Sequence, residues 1–309
     1  MQKKQVTLFF KGMLMGAADI VPGVSGGTMA LITGIYGELI KSIDQLNLSL
    51  FLVLQKKGFT AFWKAANGRF LAPLFFGIIA SILFLSNGIS YLLDHYPILI
   101  WSFFFGLILA SIYILFLQLK EKSITNYLLL AIGFVIAFGI TQLNPANNSS
   151  ELWYLFICSM VAIIAMILPG ISGAFIFILL GVYEEVLATV KGAINVLLDF
   201  NWVTFQSVYS KVTAIGLGII IGIKLFSRLL NWLFTNKKEP TISLLVGFMM
   251  GALPKIWPWK NEIIQGSESI YRNTSPFNFE GDPQFVFALL LLIVGSGILI
   301  LMERYSQKK

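Results

Sequence analysis

The chain has 309 residues, of which 57% are hydrophobic and only 12% charged, with a net charge of +7 and a mean hydropathy of +0.82. Soluble domains carry about 25% charged residues, so the composition excludes an ordinary soluble protein. Apolar runs long enough to cross a bilayer as helices recur along the whole chain, whereas a membrane β-barrel would show short alternating strands. We therefore predict an all-α polytopic membrane protein with one transmembrane domain over residues 1–309.

In chain order, two apolar stretches are interrupted by a Pro-Gly pair, and the remaining apolar stretches are continuous. The interrupted stretches cover residues 7–43 and 151–190, and we expect each to form a re-entrant helical hairpin. Between the first hairpin and the first span, residues 44–68 predict an interfacial amphipathic helix, with Trp63 and lysines at the headgroups. Residues 258–283 predict a long outer loop. The six full spans are predicted at 70–94, 97–119, 124–142, 212–234, 241–257 and 284–303.

The basic residues segregate if each hairpin enters and leaves the membrane on the same side. Five basic groups then share one side, which the positive-inside rule assigns to the cytoplasm, together with both chain termini. This bias explains the positive net charge without a nucleic-acid partner. The N-terminus is basic but has no small-residue cleavage site, so no cleavable signal peptide is expected. The five groups are Lys3 with Lys4; Lys56, Lys57, Lys64 and Arg69; Lys120 with Lys122; Lys237 with Lys238; and Arg304, Lys308 and Lys309.

The chain contains an internal repeat. Residue n aligned with residue n+147 places "VPGVSGGTMALITGIYGEL" over "LPGISGAFIFILLGVYEEV", and a weaker match near an offset of 141 follows. Repeat 1 covers about 7–143 and repeat 2 about 151–303, each a broken hairpin followed by three spans. Three spans are an odd number, so the second copy enters from the opposite face. Inverted repeats with broken helices at the midplane are typical of secondary transporters.

The two breaks have the residues of an anion site. A proline and a glycine stop one half-helix, and a serine two residues later can cap the next one, whose first N–H groups are free to bind a phosphate or carboxylate. The alternative is that the glycines allow tight helix packing. The candidate residues are Pro22, Gly23, Ser25, Gly26, Gly27 and Thr28 in the first copy, and Pro169, Gly170, Ser172 and Gly173 in the second.

Ionisable residues within apolar stretches are the other candidates, because they are costly in a bilayer. Asp19 precedes the first break and is predicted either to couple protons or to orient the loop by accepting backbone N–H bonds. Glu38 and Glu185 occupy equivalent repeat positions, and the alternative for them is a helix end near headgroups. Lys224 and Arg228, four residues apart on one helical face, are candidates to contact the phosphate or to extend to the cytoplasmic surface.

The segments "GAADIVPGVSGGTMALITGIYGELI" and "LPGISGAFIFILLGVYEEVL" resemble the paired signatures of the PopT family of bacterial polyprenyl-phosphate transporters. The resemblance extends over essentially the whole chain. It implies flipping of undecaprenyl phosphate in the bacterial cytoplasmic (inner) membrane, to recycle the lipid carrier of cell-wall synthesis, with membrane lipids as partners and a proton or sodium ion as a possible coupling ion. The second signature departs from the first at Met166, Ala174 and Phe175, so the two half-sites are not expected to be equivalent.

Two rival functions remain open. One is a membrane phosphatase acting on polyprenyl diphosphate, since such enzymes also resemble inverted repeats with P-G-x-S loops. Their serine is followed by Arg-Ser, whereas Gly26 and Gly173 follow the serines here, so no catalytic residue is assigned. The other is a transporter of a different organic anion. His95 is the only histidine and Cys158 the only cysteine, so neither a metal site nor a cofactor is predicted.

Overall fold

The computed structural model describes residues 2–20, 24–47, 49–119, 123–143, 151–198, 202–265 and 268–307. These residues are mainly helical, as the hydropathy predicts, and the helices are numbered in chain order. The first half contains α1 (Gln2–Ile20), α2 (Gly26–Ile32), α3 (Tyr36–Gln45), α4 (Ser49–Ala65), α5 (Gly68–His95), α6 (Pro97–Gln118) and α7 (Ile124–Gln142). The second half contains α8 (Leu152–Ile167), α9 (Gly173–Leu179), α10 (Tyr183–Leu198), α11 (Trp202–Asn236), α12 (Lys238–Ala252) and α13 (Phe285–Gln307).

The main helix contacts form four pairs. Within the halves, α1 packs on α5 and α8 packs on α11. Across the halves, α6 packs on α13 and α7 packs on α12. Each pair therefore has a counterpart made of the corresponding helices of the other half. In addition, α3 packs on α11, and α2 contacts α8.

Glycines bring these paired helices into close contact. A Cβ added to Gly77 of α5 would clash with the carbonyl oxygen of Phe9 in α1, and one added to Gly218 of α11 would clash with the carbonyl oxygen of Phe156 in α8. Small residues at such positions allow membrane helices to approach backbone to backbone, with van der Waals packing as the driving force. The alignment of the two sequence copies thus coincides with equivalent helix contacts.

Four described helices have segments long and apolar enough to cross a membrane: Gly68–Leu85, Pro97–Leu117, Ile124–Gln142 and Val208–Asn236. They correspond to four of the six predicted spans. The span predicted at 284–303 corresponds to α13 (Phe285–Gln307). The span predicted at 241–257 ends earlier than expected, because α12 ends at Ala252 and the chain continues as a 3-10 helix, Leu253–Ile256, that contains Pro254.

Two connecting segments differ in detail from the expectation. The predicted outer loop contains a two-stranded antiparallel hairpin of β1 (Lys260–Gln265) and β2 (Glu268–Asn273), in which Lys260 pairs with Asn273. The predicted interfacial segment contains α4, which is interrupted at Gly58, whose φ of 76° and ψ of 177° are not helical. Most side chains of α4 are exposed, including that of Trp63.

Candidate functional site

The two breaks have the local structure that their serines predict. Ser25 is the N-cap of α2, and its hydroxyl accepts a hydrogen bond from the N–H of Gly27 at 3.1 Å. Ser172 is the N-cap of α9, and its hydroxyl accepts from the N–H of Phe175 at 3.1 Å. A serine in the β region at this position satisfies one of the donors that a helix start leaves without an intrahelical partner. Both N-cap predictions are confirmed.

The breaks meet each other directly. The hydroxyl of Ser25 donates to the carbonyl oxygen of Met166 at 2.9 Å, and the N–H of Gly170 donates to the hydroxyl of Thr28 at 2.9 Å. Ser25 and Thr28 are both buried. Polar groups of the two repeats therefore satisfy one another in the interior, so the two breaks form one structural unit.

The carboxylate of Asp19 lies at the start of α2. Its Oδ1 accepts a hydrogen bond from the N–H of Gly26 at 2.7 Å. The N–H of Thr28 donates to the carbonyl oxygen of Ser25 at 2.9 Å. With Gly27 bonded to the Ser25 hydroxyl, the first three N–H groups of α2 all have partners within the chain. Of the two roles predicted for Asp19, the structure shows the one that orients the loop, and a carboxylate stands where an external anion was expected.

Gly26 and Gly27 are confined by their neighbours. A Cβ added to Gly26 would lie 2.6 Å from Oδ2 of Asp19, and one added to Gly27 would lie 2.5 Å from the carbonyl oxygen of Ile167. Both glycines therefore have a packing role, the alternative considered for them. The same absence of a side chain allows the Asp19 carboxylate to approach the backbone of Gly26.

The second break differs from the first. Pro169 and Gly170 lie between α8 and α9, both buried, and Gly170 has a φ of 94°, which favours glycine. Gly173, the first residue of α9, has more space around it than Gly26 has at the start of α2. A Cβ added to Gly173 would lie 3.1 Å from the carbonyl oxygen of Ala162. Phe175 stands at the repeat position of Thr28 and contacts a lysine, Lys255. Pro22 and Gly23 of the first copy lie outside the described residues.

The repeat-equivalent glutamates have different surroundings. Glu38 is exposed and accepts a hydrogen bond of 3.4 Å from the side-chain amide of Asn67. Glu185 forms an ion pair with Lys211 at 2.6 Å. Both side chains are near the starts of α3 and α10, where carboxylates interact favourably with the helix dipole. This arrangement agrees with the helix-end alternative.

The two cations of α11 also have different surroundings. Lys224 contacts Asp44 through both the backbone carbonyl and the carboxylate, with 3.5 Å to Oδ1. Asn231 donates to the other carboxylate oxygen at 2.9 Å. Arg228 is exposed. Lys224 therefore connects α11 to the end of α3. To bind phosphate, its ammonium group would have to leave Asp44.

Two further lysines lie where the sequence analysis placed no site. The ammonium of Lys255 is 4.1 Å from the ring centroid of Phe175 in α9. The ammonium of Lys260 is 4.7 Å from the ring centroid of Trp101 in α6 and donates to the carbonyl oxygen of Lys255 at 2.7 Å. Burial, with the nearby charge of Lys255, lowers the pKa of Lys260 to about 8. In the described part of the chain neither lysine has an acidic partner within ion-pair distance.

The described residues form no cluster of side chains that could hold a metal ion. No group of three or more His, Cys, Asp and Glu side chains comes together among them. Cys158 is buried in α8, and the ring of His95 stacks on that of Tyr91.

Comparison with known proteins identifies the family. A profile described as VCA0040-like, undecaprenyl phosphate translocase-like, matches residues 15–272. The chain belongs to this family. The match includes both breaks, the four described helices that are long enough to span a membrane, and Lys224, Arg228, Lys255 and Lys260.

Two curated proteins are similar to this chain over most of its length. A polyprenyl-phosphate transporter of Vibrio cholerae is 41% identical over 98% of this chain and 97% of its own length. A polyprenyl-phosphate transporter of Staphylococcus aureus is 32% identical over 84% of this chain and 88% of its own length. No solved structure gives a significant match. The family resemblance inferred from the two signatures is confirmed.

Proposed function

We propose that this protein is a flippase that moves polyprenyl phosphate, specifically undecaprenyl phosphate, across the bacterial cytoplasmic membrane and so recycles the lipid carrier of cell-wall synthesis. The observation that carries the proposal is the direct contact between the two breaks, Ser25 with Met166 and Gly170 with Thr28, in a chain 41% identical to a polyprenyl-phosphate transporter. Broken helices that meet in the interior are the usual place for a transporter's substrate site.

The architecture that we propose is an inverted repeat of two re-entrant hairpins, each followed by three spans. The counterpart helix pairs support it, since α1–α5 corresponds to α8–α11, and α6–α13 corresponds to α12–α7. The lysine bias supports cytoplasmic termini. To test this topology, single cysteines at residues 2, 147 and 307 in a Cys158→Ser background would be exposed to an impermeant thiol reagent in intact cells. Labelling at 147 alone is expected, and labelling at either terminus would refute the topology.

The phosphate and Asp19 are proposed to compete for the start of α2. The Gly26 N–H is held by Asp19, so a phosphate can bind it only when the carboxylate leaves. Uptake of a proton or a sodium ion by Asp19 would neutralise its charge and favour this exchange, which would couple ion movement to transport. With imposed proton or sodium gradients in liposomes, Asp19→Asn should transport at a rate that no longer depends on the gradient. A rate that remains gradient-dependent would refute the role of Asp19.

Lys224 and Arg228 are proposed to offset the negative charge of the head group from α11. A lipid monophosphate carries about one to two negative charges near neutral pH, and a helix end supplies only about half a positive charge. Lys224 would have to exchange Asp44 for the phosphate. Weaker lipid binding by Lys224→Gln and Arg228→Gln is expected, and unchanged affinity in both would place the compensating charge elsewhere.

A phosphatase is the less favoured function. Both break serines are committed to backbone groups, Ser25 to Gly27 and Met166, and Ser172 to Phe175. The curated relatives are named as transporters. The deciding experiment is reconstitution in liposomes with head-group-labelled polyprenyl phosphate and diphosphate. Movement of the monophosphate between leaflets without cleavage supports transport. Release of inorganic phosphate would establish the phosphatase. Movement of an unrelated organic anion alone would establish a transporter of a different organic anion.

A further inference from the structure

Lys255 and Lys260 bring two cations together without an acidic partner among the described residues. They share a partly buried place between α6, α9 and the β-hairpin, on the rings of Phe175 and Trp101. Like charges at close range repel each other, and burial strengthens that repulsion because fewer waters screen it. An ionised group within a few ångströms would normally offset the unfavourable energy, yet the described residues supply no carboxylate there.

The surroundings would accommodate an amphiphile. A cleft of about 500 Å³, mainly apolar, is lined by residues on both sides of Lys255 in the chain, including Leu253, Pro254 and Trp257. Phe105 of α6 and Thr274 after the hairpin complete it. The cleft is held in shape by hydrogen bonds from the indole of Trp257 to the carbonyl oxygen of Thr274 and from the side-chain amide of Asn273 to that of Pro254, each 2.8 Å.

We propose that Lys255 and Lys260 form a binding site for a phosphate monoester, that of the lipid substrate, with the first part of its polyprenyl chain in the adjacent cleft. This site rests on the proposed transport function. It extends that function, because the proposed topology places the β-hairpin, and with it the two lysines, on the outer face of the membrane. The two ammonium groups offer several donors to one phosphate, and the Phe175 contact brings the site beside the second break. A phosphate bound there would stand at the entrance to the path between the repeats.

The competing explanation is structural. Lys260 donates to the carbonyl oxygen of Lys255, and both cations rest on aromatic rings, so the lysines would only brace the hairpin against α6 and α9. The two explanations differ in what an uncharged side chain changes. Bracing predicts that loss of an ammonium lowers stability and affects all ligands equally, whereas a phosphate site predicts a selective loss of phosphate binding.

The test compares the purified full-length wild type with Lys255→Gln, Lys260→Gln, the double variant and Arg272→Gln, an exposed cation on the same hairpin. Binding of undecaprenyl phosphate, undecaprenol and inorganic phosphate is measured in nanodiscs, with melting temperatures alongside. Each Gln variant should bind undecaprenyl phosphate at least about ten-fold more weakly, the effect of a lost hydrogen bond to a charged group. Undecaprenol affinity should be unchanged and the melting temperature should not fall. Arg272→Gln should change none of these values.

Wild-type affinity for undecaprenyl phosphate in both single variants and the double variant would overturn the site while leaving the transport function intact. Equal losses for undecaprenyl phosphate and undecaprenol, with a lower melting temperature, would establish bracing instead. If inorganic phosphate binds through the two lysines as tightly as the lipid does, free phosphate rather than the lipid is the ligand. A wild type that binds inorganic phosphate there but neither binds nor moves the lipid would overturn the transport function and leave the anion site standing.

Discussion

The phenol of Tyr36 donates a hydrogen bond of 2.9 Å to the backbone carbonyl of Ile167, the last residue of α8. The bond joins α3, the second helix after the first break, to α8, the helix before the second break. Tyr36 is 1% exposed, whereas Tyr183, its repeat equivalent, is 40% exposed. Two tyrosines in the same position of the sequence repeat therefore have different roles in the fold.

This contact predicts unequal effects of the same substitution. Tyr36→Phe should lower the free energy of unfolding by about 1 kcal/mol, because it leaves a buried carbonyl without its partner. Tyr183→Phe is the matched control and should change it by less than about 0.5 kcal/mol. Denaturant unfolding of the purified variants in detergent measures both values, and equal effects would contradict the asymmetry.

Gly27 should tolerate no side chain. In Gly27→Ala the new methyl group would press on the carbonyl oxygen of Ile167, and overpacking of this kind costs about 1–3 kcal/mol. Gly37, in α3, has no atom within 4 Å of an added Cβ. Gly37→Ala should therefore be neutral or stabilising, since alanine favours a helix over glycine. Melting temperatures of the two variants decide the matter, and equal values would contradict the close contact at Gly27.

Asp19 should be replaceable by a neutral acceptor as far as folding is concerned. Asp19→Asn keeps a side-chain oxygen for the Gly26 N–H, whereas Asp19→Ala leaves that donor unsatisfied and should cost about 1–3 kcal/mol. Unfolding measurements on both variants are expected to separate them by at least about 1 kcal/mol. If Asn is as destabilising as Ala, the charge rather than the hydrogen bond stabilises the break.

Lys224 and Asp44 should be energetically coupled. Their side chains are 34% and 23% exposed, so solvent screens the pair. A double-mutant cycle of Lys224→Gln with Asp44→Asn should therefore give a coupling free energy of about 0.5 kcal/mol. The control cycle replaces Lys224→Gln by Arg228→Gln, because Arg228 forms no ion pair in the described part of the chain. It should give a coupling near zero. Similar coupling in both cycles would mean that Asp44 interacts with the helix as a whole.

Lys260 should titrate well below an ordinary lysine. Its pKa is lowered to about 8 by burial and by the charge of Lys255, so Lys255→Gln should raise it. Between pH 8 and the ordinary range near 10.5 the unfolded chain binds more protons than the folded one, so this group makes the fold more stable as the pH rises. NMR titration of ¹³C-methylated lysines, with Lys260→Arg to assign the signal, measures the midpoint. An unchanged midpoint in Lys255→Gln would show that the lysines do not interact.

Local signals in the sequence were sufficient for part of the site. Ser25 and Ser172 each precede small residues that start a helix, and capping depends on neighbours within a few positions, so both caps were predictable. The helical, membrane-spanning class followed from hydropathy for the same reason. The β-hairpin was not predicted, because its strands lie in a polar segment without the alternation of a half-buried sheet.

Partners distant in the chain could not be predicted. Lys255 lies at the end of an apolar stretch, and only the folded chain brings it to Phe175. Asp19 was expected beside an anion site, but no pattern in the sequence indicates that its carboxylate would itself occupy the helix start. The partner of Lys224 is likewise Asp44, a residue of the opposite repeat.

The packing of α6 and α7 against helices of the second half has a consequence for biosynthesis. Gly106 of α6 fits against the carbonyl of Leu292 in α13, and Gly133 of α7 fits against that of Leu244 in α12. Both complementary helices are synthesised after the first half. Until then the glycine surfaces of α6 and α7 lack these partners. A chain truncated after residue 143 should therefore be treated by the cell as an orphan subunit and degraded, unless residues 151–309 are supplied as a separate polypeptide.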